Sequence, residues 1–211
     1  MTTASGWGIS TSTPGEDRRA ASLTAVDNRV ATAQAARAVA ELTHADPLAG
    51  DSRVLWCEAI RVAVTERWLD VRAGLDLLPS ERSEQWQVWL DDAERPDAAP
   101  RLFGNGFTVT ALQAAWHAIS TTPVPADDRD ADSFACQHLQ HALHAAVRIG
   151  NDTDTVAAIA GALLGAYWGA SAVPAAWRRK VHGWPAMRAR ELVGLAVLAA
   201  CPGEAPVEPG A

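Results

Sequence analysis

Residues 150–168 read GNDTDTVAAIAGALLGAYW, a short aspartate-containing polar run followed directly by small and apolar residues. The apolar run is too short to span a membrane, so we predict a buried helix that starts near Thr153. Asp152 and Asp154 place two carboxylates at the entrance to this helix, and Thr155 adds a hydroxyl. Such oxygens are the ligands that hard cations such as Mg²⁺ and Mn²⁺ prefer. The pattern therefore predicts half of a divalent-metal site.

The same aspartates also have a purely structural interpretation. Asp is a favoured N-cap residue, and a carboxylate in the first turn of a helix is stabilised by the helix dipole. By this interpretation Asp152 caps the helix and Asp154 complements its dipole. One aspartate can cap a helix and bind a cation at once, so the spacing alone leaves both roles open.

Apolar residues recur at intervals of three and four along most of the chain, and no segment alternates with a period of two. We therefore predict an all-α fold in one helical domain over residues 29–201, with a disordered arm at 1–28 and a disordered tail at 202–211. The predicted helices cover residues 32–43, a segment capped by Asp51 or Ser52 that reaches Arg67, 83–92, 107–119, a segment from Asp132 or Ser133 to Ile149, 156–168 and 187–200.

Composition restricts the partners and the compartment. The formal net charge is −7, and Arg178-Arg179-Lys180 is the main basic cluster, which argues against a nucleic-acid surface. No export signal or membrane span is recognisable, so we predict a soluble cytoplasmic protein that does not bind membranes. Three cysteines without CxxC spacing indicate reduced, structural thiols. Abundant arginine and alanine favour a bacterial source.

Two other groups of side chains have structural interpretations. His138, His141 and His144 follow each other at helical spacing, but no cysteine or carboxylate completes a zinc site, so we expect ordinary helix positions. Tryptophan is abundant, and we expect its rings to fill gaps between helices. The residues concerned are Trp56, Trp68, Trp86, Trp89, Trp116, Trp168, Trp177 and Trp184.

Residues 150–166 resemble the C-terminal metal motif of the ADP-ribosylglycohydrolases. Residues 42–47, LTHADP, are similar to the Thr-His turn of that family, and Gly104-Asn105-Gly106 followed by residues 111–116, ALQAAW, resembles a later helix of the family. The tail at 173–177, VPAAW, is similar as well. The resemblance covers about residues 30 to 200, and three separated motifs in the same order make it specific.

The resemblance implies a compact orthogonal helical bundle that uses two divalent cations, Mg²⁺ or Mn²⁺. It implies hydrolysis of the N- or O-glycosidic bond that joins ADP-ribose to a protein side chain or to a small acceptor. Asp152, Asp154 and Thr155 would be metal ligands, and the two aspartates would take part in catalysis. His44 matches a histidine that lines the ADP-ribose cleft, although a histidine at a helix end is also commonly structural.

The sequence departs from the family pattern near its N-terminus. The Gly-Asp helix segment and the Thr-Asp-Asp-Thr-like ligand run with which the family opens do not occur, and the adjacent pairs Asp91-Asp92 and Asp127-Asp128 lie elsewhere. We therefore expect an N-terminally truncated bundle that corresponds to the C-terminal two-thirds of the enzyme. The alternative to a hydrolase is a catalytically incompetent relative, either a binding module or a helical remnant.

Overall fold

The structure is a computed structural model that describes residues 28–200. The arm predicted at 1–28, apart from Asn28, and the tail predicted at 202–211 lie outside the described residues, as does Cys201. Between residues 28 and 200 no helix is long and apolar enough to cross a membrane.

The described chain consists almost entirely of helices. They are α1 (Arg29–Glu41), α2 (Pro47–Thr65), α3 (Ser80–Ala93), α4 (Thr108–Thr121), α5 (His138–Ile149), α6 (Thr153–Trp168), α7 (Ala175–Lys180) and α8 (Ala189–Ala200), with 3₁₀ segments at Val71–Leu77, Ala99–Leu102, Ala135–Gln137 and Ala170–Ala172. Strands β1 (His182–Gly183) and β2 (Met187–Arg188) form a small antiparallel hairpin in which His182 faces Arg188. The prediction of an all-α fold is confirmed.

Helix α6 lies at the centre of the bundle, where it packs against α2, α4 and α5. Its small residues let these neighbours surround it, and Leu163 and Leu164 are fully buried in the core. The buried indole of Trp56 on α2 donates a hydrogen bond to the carbonyl of Ile159 over 3.0 Å. The helix that follows the aspartate run is therefore held on several sides by packing.

The N-cap of helix α2 lies five residues before Asp51 and six before Ser52, the two caps predicted for it. Asp46 is the N-cap, its carboxylate accepts a hydrogen bond from the amide of Leu48 over 2.9 Å, and Pro47 takes the first helical position. Proline suits that position because its missing N–H has no intrahelical partner there. Asp51 and Ser52 lie inside the helix and are buried, so their predicted capping role is wrong.

Two buried carboxylates of α2 are neutralised by arginines. Asp51 pairs with Arg37 over 2.8 Å and also with Arg82 on α3. Glu58 pairs with Arg29 over 3.0 Å and with Arg61 over 2.8 Å. Burying an unpaired carboxylate is costly, so these pairs are a condition for placing both acids in the interior.

Helix α5 starts at His138, after the 3₁₀ segment, and not at Asp132 or Ser133. The amide of Ser133 donates to the carbonyl of Asp128 over 2.9 Å, and Asp132 has a φ of +51°. Residues 128–133 thus form a tight turn closed by backbone pairing. The carbonyl of Ser133 accepts from the amide of Asp128 over 2.8 Å, so it is engaged in this turn and not in a helix that starts at Ser133.

Most tryptophans pack as predicted, but two do not. Trp56, Trp86 and Trp116 are buried, and Trp89, Trp168 and Trp177 lie against the core. Trp68 is 65% exposed and Trp184, in the hairpin, is 91% exposed, so the packing prediction is wrong for these two.

Helix α8 mainly contacts β2 and leaves several apolar side chains exposed, namely Leu192, Val193, Leu195, Val197 and Leu198.

Candidate functional site

The loop between α5 and α6 has an unusual backbone conformation. Gly150 has a φ of +88° and Asn151 a φ of +60°. A Cβ atom on Gly150 would lie 2.9 Å from Cε2 of Phe103, closer than atoms normally approach. The backbone angle therefore favours glycine at position 150, and a larger residue would also force the ring of Phe103 to move.

Asn105 holds this loop through two hydrogen bonds. Its side-chain amide donates to the carbonyl of Gly150 over 3.1 Å, and its side-chain oxygen accepts from the amide of Asp152 over 3.0 Å. Asn105 is fully buried. The segment before α4 thereby determines the path of the chain into α6.

This role was not predicted from the sequence, because glycine beside asparagine first indicates a backbone with positive φ and directs attention to Gly104 and Gly106. Neither Gly104 nor Gly106 has a positive φ, and a Cβ on either would meet no atom within 4 Å. The available signal was the asparagine itself, since its side chain can donate and accept at the same time.

Asp152, Asp154 and Thr155 occupy the start of α6. Asp152 is at the N-cap position, but its side chain makes no capping hydrogen bond. Asp152 and Thr155 are half-buried and Asp154 is exposed. Among residues 28–200, none of the three side chains has a hydrogen bond or ion pair with another residue. Capping therefore does not account for the carboxylate of Asp152, whereas Asp154 still lies where it complements the helix dipole.

Asn105, which contacts Asp152 at the start of α6, precedes the first residue of α4 by three positions. Thr108, the first residue of α4, follows Asn105 closely, and its hydroxyl lies 2.8 Å from the hydroxyl of the buried Ser52 on α2. Helix N-termini carry partial positive charge, which favours nearby anions. Asp152 and Asp154 lie at the N-terminus of α6, where a negative charge is favourable.

His44 lies in the turn between α1 and α2, with an exposed side chain. Its Nδ1 is 2.8 Å from the hydroxyl of Thr43, and its amide donates to the carbonyl of Ala40 over 2.9 Å. Within the described residues, no hydrogen bond connects His44 with the Asp152 loop. The structure brings the two aspartates and Thr155 together, and His44 belongs to a different turn.

The histidines of α5 have structural partners. Nε2 of the buried His138 donates to the carbonyl of Ile119 over 3.1 Å, and Nδ1 accepts from the indole of Trp168 over 3.2 Å. Burial lowers the pKa of His138, which favours this neutral form. The ring of His144 packs against Trp177 with a centroid distance of 5.4 Å. Both nitrogens of His138 are engaged, which leaves it no lone pair for a zinc ion.

Comparison with known proteins identifies the family. The family model described as ADP-ribosylglycohydrolase matches residues 12–205. The chain belongs to the ADP-ribosylglycohydrolase family. No solved structure matches the chain significantly.

Curated relatives in the ADP-ribosylglycohydrolase family include the ADP-ribosylhydrolase ARH3 of Homo sapiens, which is 28% identical over 182 residues. That match covers 71% of this chain and 48% of the human protein, so the chain spans about half the length of this relative. ARH3 of Bos taurus is 44% identical over 46 residues, which cover 22% of this chain and 13% of the bovine protein. ARH3 of Mus musculus has the same identity over 46 residues, with 22% and 12% covered.

Members of the ADP-ribosylglycohydrolase family typically use divalent metals. The oxygen donors at the start of α6 fit a hard cation chemically, because they are two carboxylates and a hydroxyl without other partners in the described chain. They are nevertheless few, since Mg²⁺ takes about six oxygens. Within residues 28–200, no group of three or more His, Cys, Asp or Glu could hold a metal ion. The described donors therefore match part of a metal site.

Proposed function

We propose that this chain binds Mg²⁺ or Mn²⁺ through Asp152, Asp154 and Thr155 and acts on the glycosidic bond of an ADP-ribosylated substrate. The substrate would be an ADP-ribosylated protein or a small molecule that contains ADP-ribose. The observation that carries this proposal is the set of three oxygen-bearing side chains at the entrance to α6, which have no partner among the described residues although their loop is tightly held. Membership in the ADP-ribosylglycohydrolase family supports the choice of substrate.

A divalent cation, when bound, would position ribose hydroxyls and favour ionisation of a water molecule. The role of the protein is to hold the cation at the start of α6 and to receive the proton of the attacking water on a carboxylate. Asp152 and Asp154 are the carboxylates proposed for these tasks. His44 is proposed to contact ADP-ribose, for which its exposed ring is available.

The second candidate is a relative that binds ADP-ribose without cleaving it. It is favoured by the small donor set, because two aspartates and one threonine leave most positions around a cation to water. Weak cation binding and slow or absent turnover are then expected. The two candidates share the site and differ only in catalysis.

Calorimetric titration with MnCl₂ tests the cation site. We expect binding heat with the unaltered chain and none with the double variant Asp152→Asn/Asp154→Asn, which preserves side-chain shape but removes both charges. Asp130→Asn is the matched control, because Asp130 is an exposed loop aspartate away from α6. Equal heats for the double variant and the control would remove Asp152 and Asp154 from the proposed ligand set.

Release of ADP-ribose from ADP-ribosyl-arginine in the presence of Mn²⁺ separates the two candidates. Turnover that disappears in the double aspartate variant would support the hydrolase. Mn²⁺ binding without turnover by the unaltered chain, tested also on an O-linked ADP-ribosyl-serine peptide, would support the binding module.

A further inference from the structure

We infer that Asn105 is a positioning residue of the proposed metal site and that it sets the direction of the Asp152 carboxylate through the backbone of the α5–α6 loop. This inference rests on the proposed function. It starts from the two hydrogen bonds that Asn105 makes to residues on either side of Asn151. They restrain the carbonyl of Gly150 and the amide of Asp152, and hence the backbone from which the first proposed ligand extends.

The two hydrogen bonds to Gly150 and Asp152 require a side chain with both a donor and an acceptor, such as a carboxamide. Gly150 presents an acceptor and Asp152 a donor, so the bridging side chain must donate and accept at once, and asparagine does so from one planar group. Aspartate would retain the acceptor for Asp152 but would place a charge near the carbonyl of Gly150. Alanine would remove both bonds.

Because Asn105 is buried, loss of its two hydrogen bonds would be energetically costly for the α5–α6 loop. Asn105 is fully buried, and an unsatisfied buried carbonyl or amide costs more than the net contribution of the hydrogen bond it replaces. The ring of Phe103 lies close to Gly150 as well. Phe103 and Asn105 therefore both contact the loop, and loss of the carboxamide would remove the two hydrogen bonds that fix its path.

Groups that orient metal ligands typically change metal affinity by about 10–100-fold when they are removed. We therefore expect Asn105→Ala to weaken Mn²⁺ binding at least tenfold in calorimetry. Gln113→Ala is the matched control, because Gln113 is also a buried amide and donates to the carbonyl of Trp89 over 2.8 Å without touching the loop. This control should lose stability but keep its Mn²⁺ affinity.

Amide hydrogen exchange without metal gives a second readout that does not depend on binding. Asn105→Ala should speed exchange of the Asp152 amide at least tenfold and leave the amide of Leu163, deep in α6, unchanged. Equal Mn²⁺ affinity of Asn105→Ala and Gln113→Ala, with unchanged exchange at Asp152, would overturn the inference and leave the proposed function intact. If the unaltered chain bound no Mn²⁺, the proposed function itself would fail, and the inference with it.

Discussion

Replacing Gly150 with alanine should destabilise the protein, for two reasons that can be separated. The backbone at Gly150 has φ +88° and ψ −173°, a region that is essentially restricted to glycine, and another residue there costs about 1–3 kcal/mol. The new Cβ would also lie 2.9 Å from Cε2 of Phe103. Phe103 is 58% exposed, so its ring can rotate away at a cost of about 0.5–1.5 kcal/mol.

Thermal unfolding followed by circular dichroism measures both contributions. For a chain of this size, each kcal/mol lowers Tm by roughly 2–4 °C, so Gly150→Ala should lower Tm by at least about 2 °C. Comparing Gly150→Ala/Phe103→Ala with Phe103→Ala removes the ring contact and isolates the cost of the backbone conformation.

Gly165→Ala is the control, because Gly165 lies inside α6 and a Cβ there would meet no atom within 4 Å. Alanine is favoured over glycine within a helix, so this variant should be as stable as the unaltered chain or more stable by up to about 1 kcal/mol. A Gly150→Ala protein with unchanged Tm would refute the reasoning, as would an equal loss of Tm in both variants.

Three further outcomes are expected. Glu58→Gln should reduce the free energy of unfolding, measured in urea, by about 3 kcal/mol, because it breaks the ion pairs of a buried carboxylate. The control Glu66→Gln removes an exposed partner of Arg61 and should change the free energy of unfolding by less than about 1 kcal/mol. Similar losses in the two variants would contradict the importance of burial. Burial lowers the pKa of His138, so this histidine binds a proton more readily in the unfolded chain, and the free energy of unfolding should fall as the pH drops below about 6.5. If His138→Gln showed the same pH dependence as the unaltered chain, His138 would not be its cause. Burial raises the pKa of Cys57 to about 11. Labelling of Cys57 by a disulfide reagent at pH 8, followed by mass spectrometry, should therefore be at least about 100-fold slower in the native chain than in the urea-unfolded chain. Equal rates would show that this thiol is accessible and ionised.

Local sequence patterns were sufficient where a feature depends on neighbouring residues. The apolar run at 156–168 is helical and buries Val156, Ile159, Ala160, Leu163 and Leu164 in the core, and a buried helix could be predicted here from the sequence alone. The turn at residues 44–47 was predictable because proline restricts the residue before it. The three oxygen donors at the start of α6 are also close together in the sequence, so their proximity followed from spacing alone.

Features that depend on distant partners could not be predicted in this way. Asn105 contacts residues 45 and 47 positions further along the chain, and only the fold shows that its carboxamide restrains the loop. Asp51 resembles a helix cap in the sequence, but its partners Arg37 and Arg82 are 14 and 31 positions away. Whether the carboxylate of Asp152 is already used by a capping bond likewise depends on three-dimensional geometry.

The two buried acids of α2 have a consequence for the alignment of the bundle. Asp51 takes arginines from α1 and α3, and Glu58 takes Arg29 from the first turn of α1. Sliding α2 along these neighbours by one helical turn, about 5.4 Å, would separate Asp51 from both of its arginines and Glu58 from Arg29, and Glu58 would keep only Arg61 of its own helix. Apolar packing alone tolerates many shifted arrangements, whereas these ion pairs penalise every alignment of α2 except the one in which both acids meet their arginines.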